Sequence, residues 1–110
     1  MDSRLLWGAL DMLILEVIGG GPTWGYAVAQ VVLSRSAGYF DLKEGSLYPA
    51  LHRLERKKLL SSCWQEADGR RRKYYQITAR GQQALAGKRQ EWREFAAGVN
   101  GVLGVAHALA

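Results

Sequence analysis

Two residues past the middle of the chain, Asp68-Gly69, restrict what it can fold into more than any others. They separate L-L-S-S-C-W-Q, from Leu59 to Gln65, from R-K-Y-Y-Q-I-T, from Arg72 to Thr78. Both runs are rich in strand formers and alternate in part. An Asp-Gly pair accepts the left-handed backbone that a tight hairpin loop requires. The spacing therefore predicts two antiparallel strands turning at Ala67 to Arg70. On the return strand Tyr75 and Ile77 share one face, and Tyr74 and Gln76 the other. A lone hairpin is at best marginally stable in water, so the rest of the chain must cover it.

The stretch before the hairpin is the second constraint. Glu44 to Lys58 reads E-G-S-L-Y-P-A-L-H-R-L-E-R-K-K. Leu47, Ala50, Leu51 and Leu54 recur at the spacing that forms one helical stripe. The same winding turns Ser46, Tyr48, Pro49, His52, Arg53 and Arg56 outward, opposed only by Glu55. Hydroxyl, phenol, imidazole and guanidinium groups suit phosphate oxygens and base edges, and a helix fits the DNA major groove. A solvated amphipathic face reads much the same, and it is the segment that follows which tips the balance. Glu44 suits the positive end of the helix. Pro49 sits too deep for a first-turn proline, and is expected to remove one backbone hydrogen bond and loosen the helix start.

Two further helices precede this one. Arg4 to Ile18 carries Leu6, Leu10, Leu13, Ile14 and Val17 on one face and Leu5, Met12 and Leu15 on a second. A helix apolar nearly all round is buried on more than one side, which in a domain this small predicts contact with another subunit. Gly19-Gly20-Gly21-Pro22 stops it. Thr23 is expected to cap a second helix to about Ser36, with Tyr26, Ala29 and Leu33 facing inward beside Val28 and Val32. Ser36-Ala37-Gly38 ends that helix, and Tyr39 to Leu42 forms a short connection.

After the hairpin Thr78 caps a last helix from about Ala79. Leu85, Arg89, Trp92, Ala96, Val99, Leu103 and Ala106 alternate spacings of four and three, the seam of a helix packed on a partner helix. Phe95 and Val102 widen the stripe. Gly98, Gly101 and Gly104 weaken its end. No element remains in the chain to cover this seam. With the surplus apolar face of the first helix it predicts a homodimer, with Leu5, Leu6, Met12, Leu15, Trp92, Phe95, Ala96, Val99 and Leu103 at the interface.

The order helix, helix, helix, strand, strand is that of a winged helix-turn-helix, with the hairpin as the wing. The predicted fold is mainly α with a small β-hairpin (α+β). Residues 1–78 form the DNA-binding domain with an extra N-terminal helix, and residues 79–110 the C-terminal dimerisation helix. Charge follows the same division. From Arg53 to Lys73 eight lysines and arginines stand against three acids, so this segment holds the whole net charge of +5. Such a concentration favours a polyanionic partner.

Other classes fit poorly. The only histidines, His52 and His107, lie in segments with other roles. There is no glycine-rich phosphate loop and no ligand cluster, so no enzyme, cofactor or metal is expected. The single cysteine, Cys63, rules out an internal disulfide and fits a reducing compartment. It reads as a small strand residue beside Trp64, with a thiol sensor as the sharper alternative. The apolar run from Leu5 to Ile18 is broken by Asp11 and Glu16 and is too short to span a bilayer. A cytoplasmic protein without membrane contact is expected. A winged-helix module for protein interaction or RNA remains an alternative, since an arginine-rich wing and Tyr48 would serve single strands nearly as well.

Four motifs resemble the PadR family of transcriptional regulators, over nearly the whole chain. They are L-D-M-L-I-L at Leu10 to Leu15, G-P-T-W-G-Y at Gly21 to Tyr26, E-G-S-L-Y-P-A-L-H-R-L-E at Glu44 to Glu55, and D-G-R-R-R-K-Y-Y-Q-I-T at Asp68 to Thr78. One C-terminal helix is similar to the short subfamily. Trp24 departs from the histidine common before Gly-Tyr in that family. The resemblance implies a homodimeric repressor that binds double-stranded DNA at a palindromic operator. It implies Ser46, Tyr48, Pro49, His52 and Arg53 at the major groove, and Gly69, Arg70, Arg71 and Lys73 at the wing. It also implies a small aromatic or planar effector at the dimer centre, where Trp92 resembles the tryptophan that stacks on ligands in drug-sensing members. A repressor without an effector is the alternative.

The chemistry agrees with these roles. Wing cations neutralise phosphates and release counterions. Arg53 or His52 can read a guanine edge, a contact worth about 1–3 kcal/mol against the wrong base. Tyr48 can donate to a phosphate, and Arg72 can pair with Glu66. Trp92 near a two-fold axis would meet its own copy and clamp a flat molecule, with Phe95 beside it and Trp7 closing the cavity. Aromatic residues on such a helix also serve as plain interface packing.

Overall fold

The computed structural model describes residues 3–105, with all their side chains except those of Ser3, Arg4 and Trp7. Four helices and three strands follow in the order α1 (Ser3–Gly19), β1 (Thr23–Trp24), α2 (Gly25–Arg35), α3 (Glu44–Arg56), β2 (Leu60–Ala67), β3 (Arg70–Ile77) and α4 (Ala79–Leu103). The strands make one antiparallel sheet in the order β1-β3-β2. The chain is mainly helical and has the winged-helix arrangement.

The core forms where α1, α2, α3, β3 and the start of α4 meet. Leu10, Ile14, Leu15 and Ile18 of α1 pack with Val28 and Val32 of α2 and with Leu47, Ala50, Leu51 and Leu54 of α3. The α3 stripe is the one its spacing predicts, and all four residues are buried. Burying such a leucine contributes about 1.5–3 kcal/mol. Pro49 sits inside α3 without ending it. Its missing donor would have served the carbonyl of Gly45, which is in the exposed first turn where water can replace it.

The end of α3 sets the direction of the wing. Lys58 takes the left-handed conformation at φ 66°. Its N–H donates to the Glu55 carbonyl, and the Leu59 N–H donates to the Leu54 carbonyl at 3.0 Å. These two bonds close the helix and turn the chain directly into β2. At the wing tip Asp68 and Gly69 have φ 53° and 75°, the two left-handed residues of a type I′ turn. Ala67 pairs with Arg70, and counting back from there puts Trp64 opposite Lys73 and Leu60 opposite Ile77.

The Thr78 hydroxyl ties the start of α4 to the chain that enters β2. Thr78 Oγ1 accepts from the Gly81 N–H at 2.9 Å and lies 2.7 Å from the Lys58 carbonyl oxygen, to which it donates. Here the backbones come very close. A Cβ built on Gly81 would lie 2.1 Å from the Leu59 carbonyl oxygen.

Several expectations need correction. Thr23 does not cap α2; it is in β1 opposite Tyr75, and the N-cap is Trp24 with no side-chain bond. The hairpin is therefore the larger part of a three-stranded sheet. Tyr26 and Leu33 point outward from α2, because Gly25, Val28 and Val32 take the inner face. Both wing strands reach closer to the tip than predicted. Leu6 and Leu15, expected at a subunit interface, are buried inside the protomer, Leu15 completely. The reason is that α1 touches α2, α3, α4 and β3 at once, so these two side chains are covered by their own chain. Leu5 is exposed and Met12 is partly buried against the core. Ala106 and His107, and the side chain of Trp7 expected to close an effector cavity, lie outside what is described.

Candidate nucleic-acid interface

The wing and α3 face each other across a groove of about 680 Å³. Tyr48 and His52 line one wall, Trp64 and the run Arg70 to Lys73 the other, and Trp24, Gly25 and Tyr26 close the end. The α3 stripe forces this arrangement. With Leu47, Leu51 and Leu54 in the core, Tyr48, Pro49 and His52 must turn outward, and all three are exposed. Gly25 lets α2 start hard against α3, since a Cβ there would meet the Tyr48 ring carbon Cε1 at 2.9 Å.

Two ion pairs fix α3 within this frame. Arg53 Nη2 lies 2.5 Å from Asp11 Oδ1 on α1. Glu55 accepts a hydrogen bond from the Ser62 hydroxyl and pairs with Lys73 Nζ at 3.2 Å, tying α3 to both wing strands. The Ser62 hydroxyl, aided by Lys73 and working against desolvation, holds the Glu55 carboxyl below its usual range. Desolvation acts to lower Lys73, but its contacts with Glu55 and Tyr75 prevail and its pKa is raised. Burial pushes the Tyr75 phenol up.

Of the DNA-binding residues read from the sequence, Tyr48, His52, Arg70, Arg71 and Lys73 line this groove. Ser46, Tyr48, Pro49 and His52 lie along α3, and Gly69, Arg70 and Arg71 at the wing tip. Arg53 and Lys73 are committed to carboxylates within the chain. Arg72 does not pair with Glu66; Gln65 is opposite it, and its guanidinium lies over the Trp24 ring at 4.7 Å from the centroid. Trp24 also meets Tyr74 edge to face at 5.4 Å. The sequence reading missed Trp64 and Tyr26, both exposed at the groove. The hairpin register held the signal for Trp64, since it puts Trp64 on the same face as Arg71.

A second surface lies on α4. Its first turns pack on the core through Gly81 and Leu85, and Arg89 pairs with Glu16 of α1. Beyond Arg89 α4 carries an apolar stripe that the described residues leave largely exposed. Trp92, Phe95, Val99, Val102 and Leu103 are exposed, Val102 by 90%, while Ala96 is half-buried. Among the described residues no group of His, Cys, Asp and Glu is placed to hold a metal. None of their helices is long and apolar enough to cross a membrane.

A helix with a polar, aromatic outer face, braced against a hairpin tipped by arginines, defines a winged-helix protein of the nucleic-acid-binding class. Residues 14–87 match the transcriptional regulator PadR-like family, and the chain belongs to that family. It is 36% identical over 93 residues to a Lysinibacillus sphaericus protein called "Uncharacterized protein X", covering 84% of this chain and 85% of that one. A crystal structure of a PadR family transcription regulator from Clostridium difficile is 37% identical with a TM-score of 0.75, covering 86% and 98% of the two chains. A transcriptional regulator from Clostridium thermocellum superimposes with a TM-score of 0.83 at 29% identity, covering 88% and 95%. The protein is thus a DNA-binding transcriptional regulator and not an enzyme.

Proposed function

We propose that the protein is a homodimeric repressor that binds a palindromic operator and leaves it when a flat aromatic effector enters between two copies of α4. The observation that carries this reading is the uncovered stripe on α4. Five large apolar residues stand in water along one half of a helix whose other half is packed. A self-complementary stripe of this kind is what a two-fold partner buries. Two-fold symmetry in the protein calls for two-fold symmetry in the site it binds. Residues 79–110 then act as the dimerisation segment, with Leu5 and Met12 of α1 beside it.

On each half-site Ser46, Tyr48, Pro49 and His52 read the major groove, and Gly69, Arg70 and Arg71 follow the backbone. Arg53 and Lys73 fix the angle of α3 through Asp11 and Glu55. Trp92 and Phe95 lie 6.0 Å apart with planes tilted by 35°. Both are exposed among the described residues, which leaves room for a flat molecule between Trp92 and its copy. By linkage such a molecule weakens DNA binding by the factor by which DNA weakens its own.

The test is a gel shift on the DNA upstream of the protein's own gene, against random duplex and single strands, across a salt series. Strong preference for its own promoter supports the operator reading, and equal binding to single strands sinks it. Flat aromatic compounds are then screened by quenching of tryptophan fluorescence, with Trp92→Ala as control. A compound whose affinity is unchanged by operator DNA refutes the coupling, and a promoter complex that no compound displaces identifies a repressor without an effector.

A further inference from the structure

We propose that Trp64 is a positioning residue for DNA binding: its indole face holds the Arg71 guanidinium at the groove, ready to meet a phosphate of the strand that α3 engages. The inference rests on the family's DNA binding and adds a role for a residue outside the recognition helix and the wing tip.

Arg71 leaves β3 on the same face as Lys73 and Tyr75, the face that looks toward α3. Trp64 leaves β2 on that face opposite Lys73, which makes it a diagonal neighbour of Arg71. The Arg71 Cζ lies 5.2 Å from the Trp64 ring centroid, inside the ~6 Å reach of a cation–π contact. Attraction of this kind does not use up the N–H donors of the guanidinium, which stay available for a phosphate. An unsupported arginine has more rotamer freedom to lose than most side chains, so one already held gives up less when it binds.

Two alternative roles are excluded by what surrounds the pair. Arg71 faces Glu66 across the ladder, yet among the described residues no ion pair joins them, so the acid does not claim the guanidinium. Trp64 is 59% exposed, so it is not needed to fill the core. The neighbouring arginines provide internal references. Arg72 leaves β3 on the other face and stacks on Trp24 instead. Arg70, at the tip, has no aromatic partner among the described residues.

The experiment uses the full chain and a random-sequence duplex of about 20 base pairs, so it needs no operator. Fluorescence anisotropy across a potassium chloride series gives the slope of log affinity against log salt. Arg71→Ala should lower that slope by roughly one phosphate contact. Trp64→Ala should lower it in the same direction. The Trp64→Ala/Arg71→Ala pair should fall no further than Arg71→Ala alone. Trp64→Phe, which keeps a ring, should recover most of the loss. Trp64→Ala should add fully to Arg72→Ala and to Arg70→Ala. Should Trp64→Ala lower the melting temperature, Trp64→Leu keeps the apolar bulk without the π-face and gives the same test. The proposal is overturned if removing the indole leaves the slope unchanged, or if its effect adds fully to that of Arg71→Ala. A wild-type protein that shows no salt-dependent duplex binding would instead overturn the DNA-binding reading itself.

Discussion

Trp64 and Trp92 are about equally exposed, at 59% and 49%, yet they mark different kinds of surface. Trp64 stands on a strand with Arg71 against its face and Lys73 opposite. Trp92 stands on a helix beside Phe95, with Ala96 one turn on and Val99 two turns on. An exposed indole does not by itself say what it meets. Cationic neighbours point to a polyanion, and aliphatic neighbours to another apolar surface. The two regions should therefore fail separately.

The strongest way to break the comparison is to charge the α4 stripe. Val99→Glu with Leu103→Glu should give a monomer by light scattering. Affinity for the protein's own promoter should fall about 100-fold or more, because two linked half-site contacts become separate. Random-duplex binding per protomer should change little. Gly81→Ala attacks the joint between the regions. Its methyl would press on the Leu59 carbonyl, and overpacking of this kind costs about 1–3 kcal/mol, read as a lower denaturant midpoint. Arg56→Ala or Arg70→Ala should each remove about one phosphate contact from the salt slope and leave the mass in solution unchanged.

Lys58→Gly sharpens the contrast from the other side. Lysine at φ 66° strains a position that glycine takes freely, so the variant should gain up to about 1 kcal/mol of stability. It should also lower the salt slope of duplex binding only slightly, since Lys58 is not among the residues that line the groove. The smallest effect concerns the brace behind the groove. The Glu55 carboxyl is lowered in the folded chain, so its contribution is full above the unfolded value of ~4.3 and is lost as pH falls through the depressed folded value. Melting temperature followed from about pH 6 to pH 3 should drop more steeply for wild type than for Glu55→Gln. Lys73, raised in the fold, contributes below its unfolded value and loses its contribution only as pH rises through the folded one, at the alkaline end.

The parts of the fold legible in the sequence are those set by near neighbours. Leu47, Ala50, Leu51 and Leu54 share one face because a helix repeats every 3.6 residues, and Asp68-Gly69 fixes the hairpin locally. What was not legible depends on residues distant in the chain. Thr23 looks like a cap until Tyr75 is beside it. Leu6 and Leu15 of α1 look like subunit contacts until four other elements close on that face. The site follows the same rule. Tyr48, His52 and Arg70 could be read as outward groups from pattern alone. Arg53 and Lys73 carry visible charges, but their carboxylates, Asp11 and Glu55, come from other elements.

The uncovered half of α4 has a consequence for the amount of protein present. A helical segment of about 12–15 residues is marginal in water when little packs on it, and beyond Arg89 the described residues leave most of the apolar stripe exposed. If a second copy supplies the cover, mass action sets how much of that segment is ordered, and the melting temperature rises with protein concentration. The abundance of the regulator then becomes part of its own control. Dilute chains would carry a complete winged unit with an unfinished tail, and the paired, operator-competent form would build up steeply as copies accumulate.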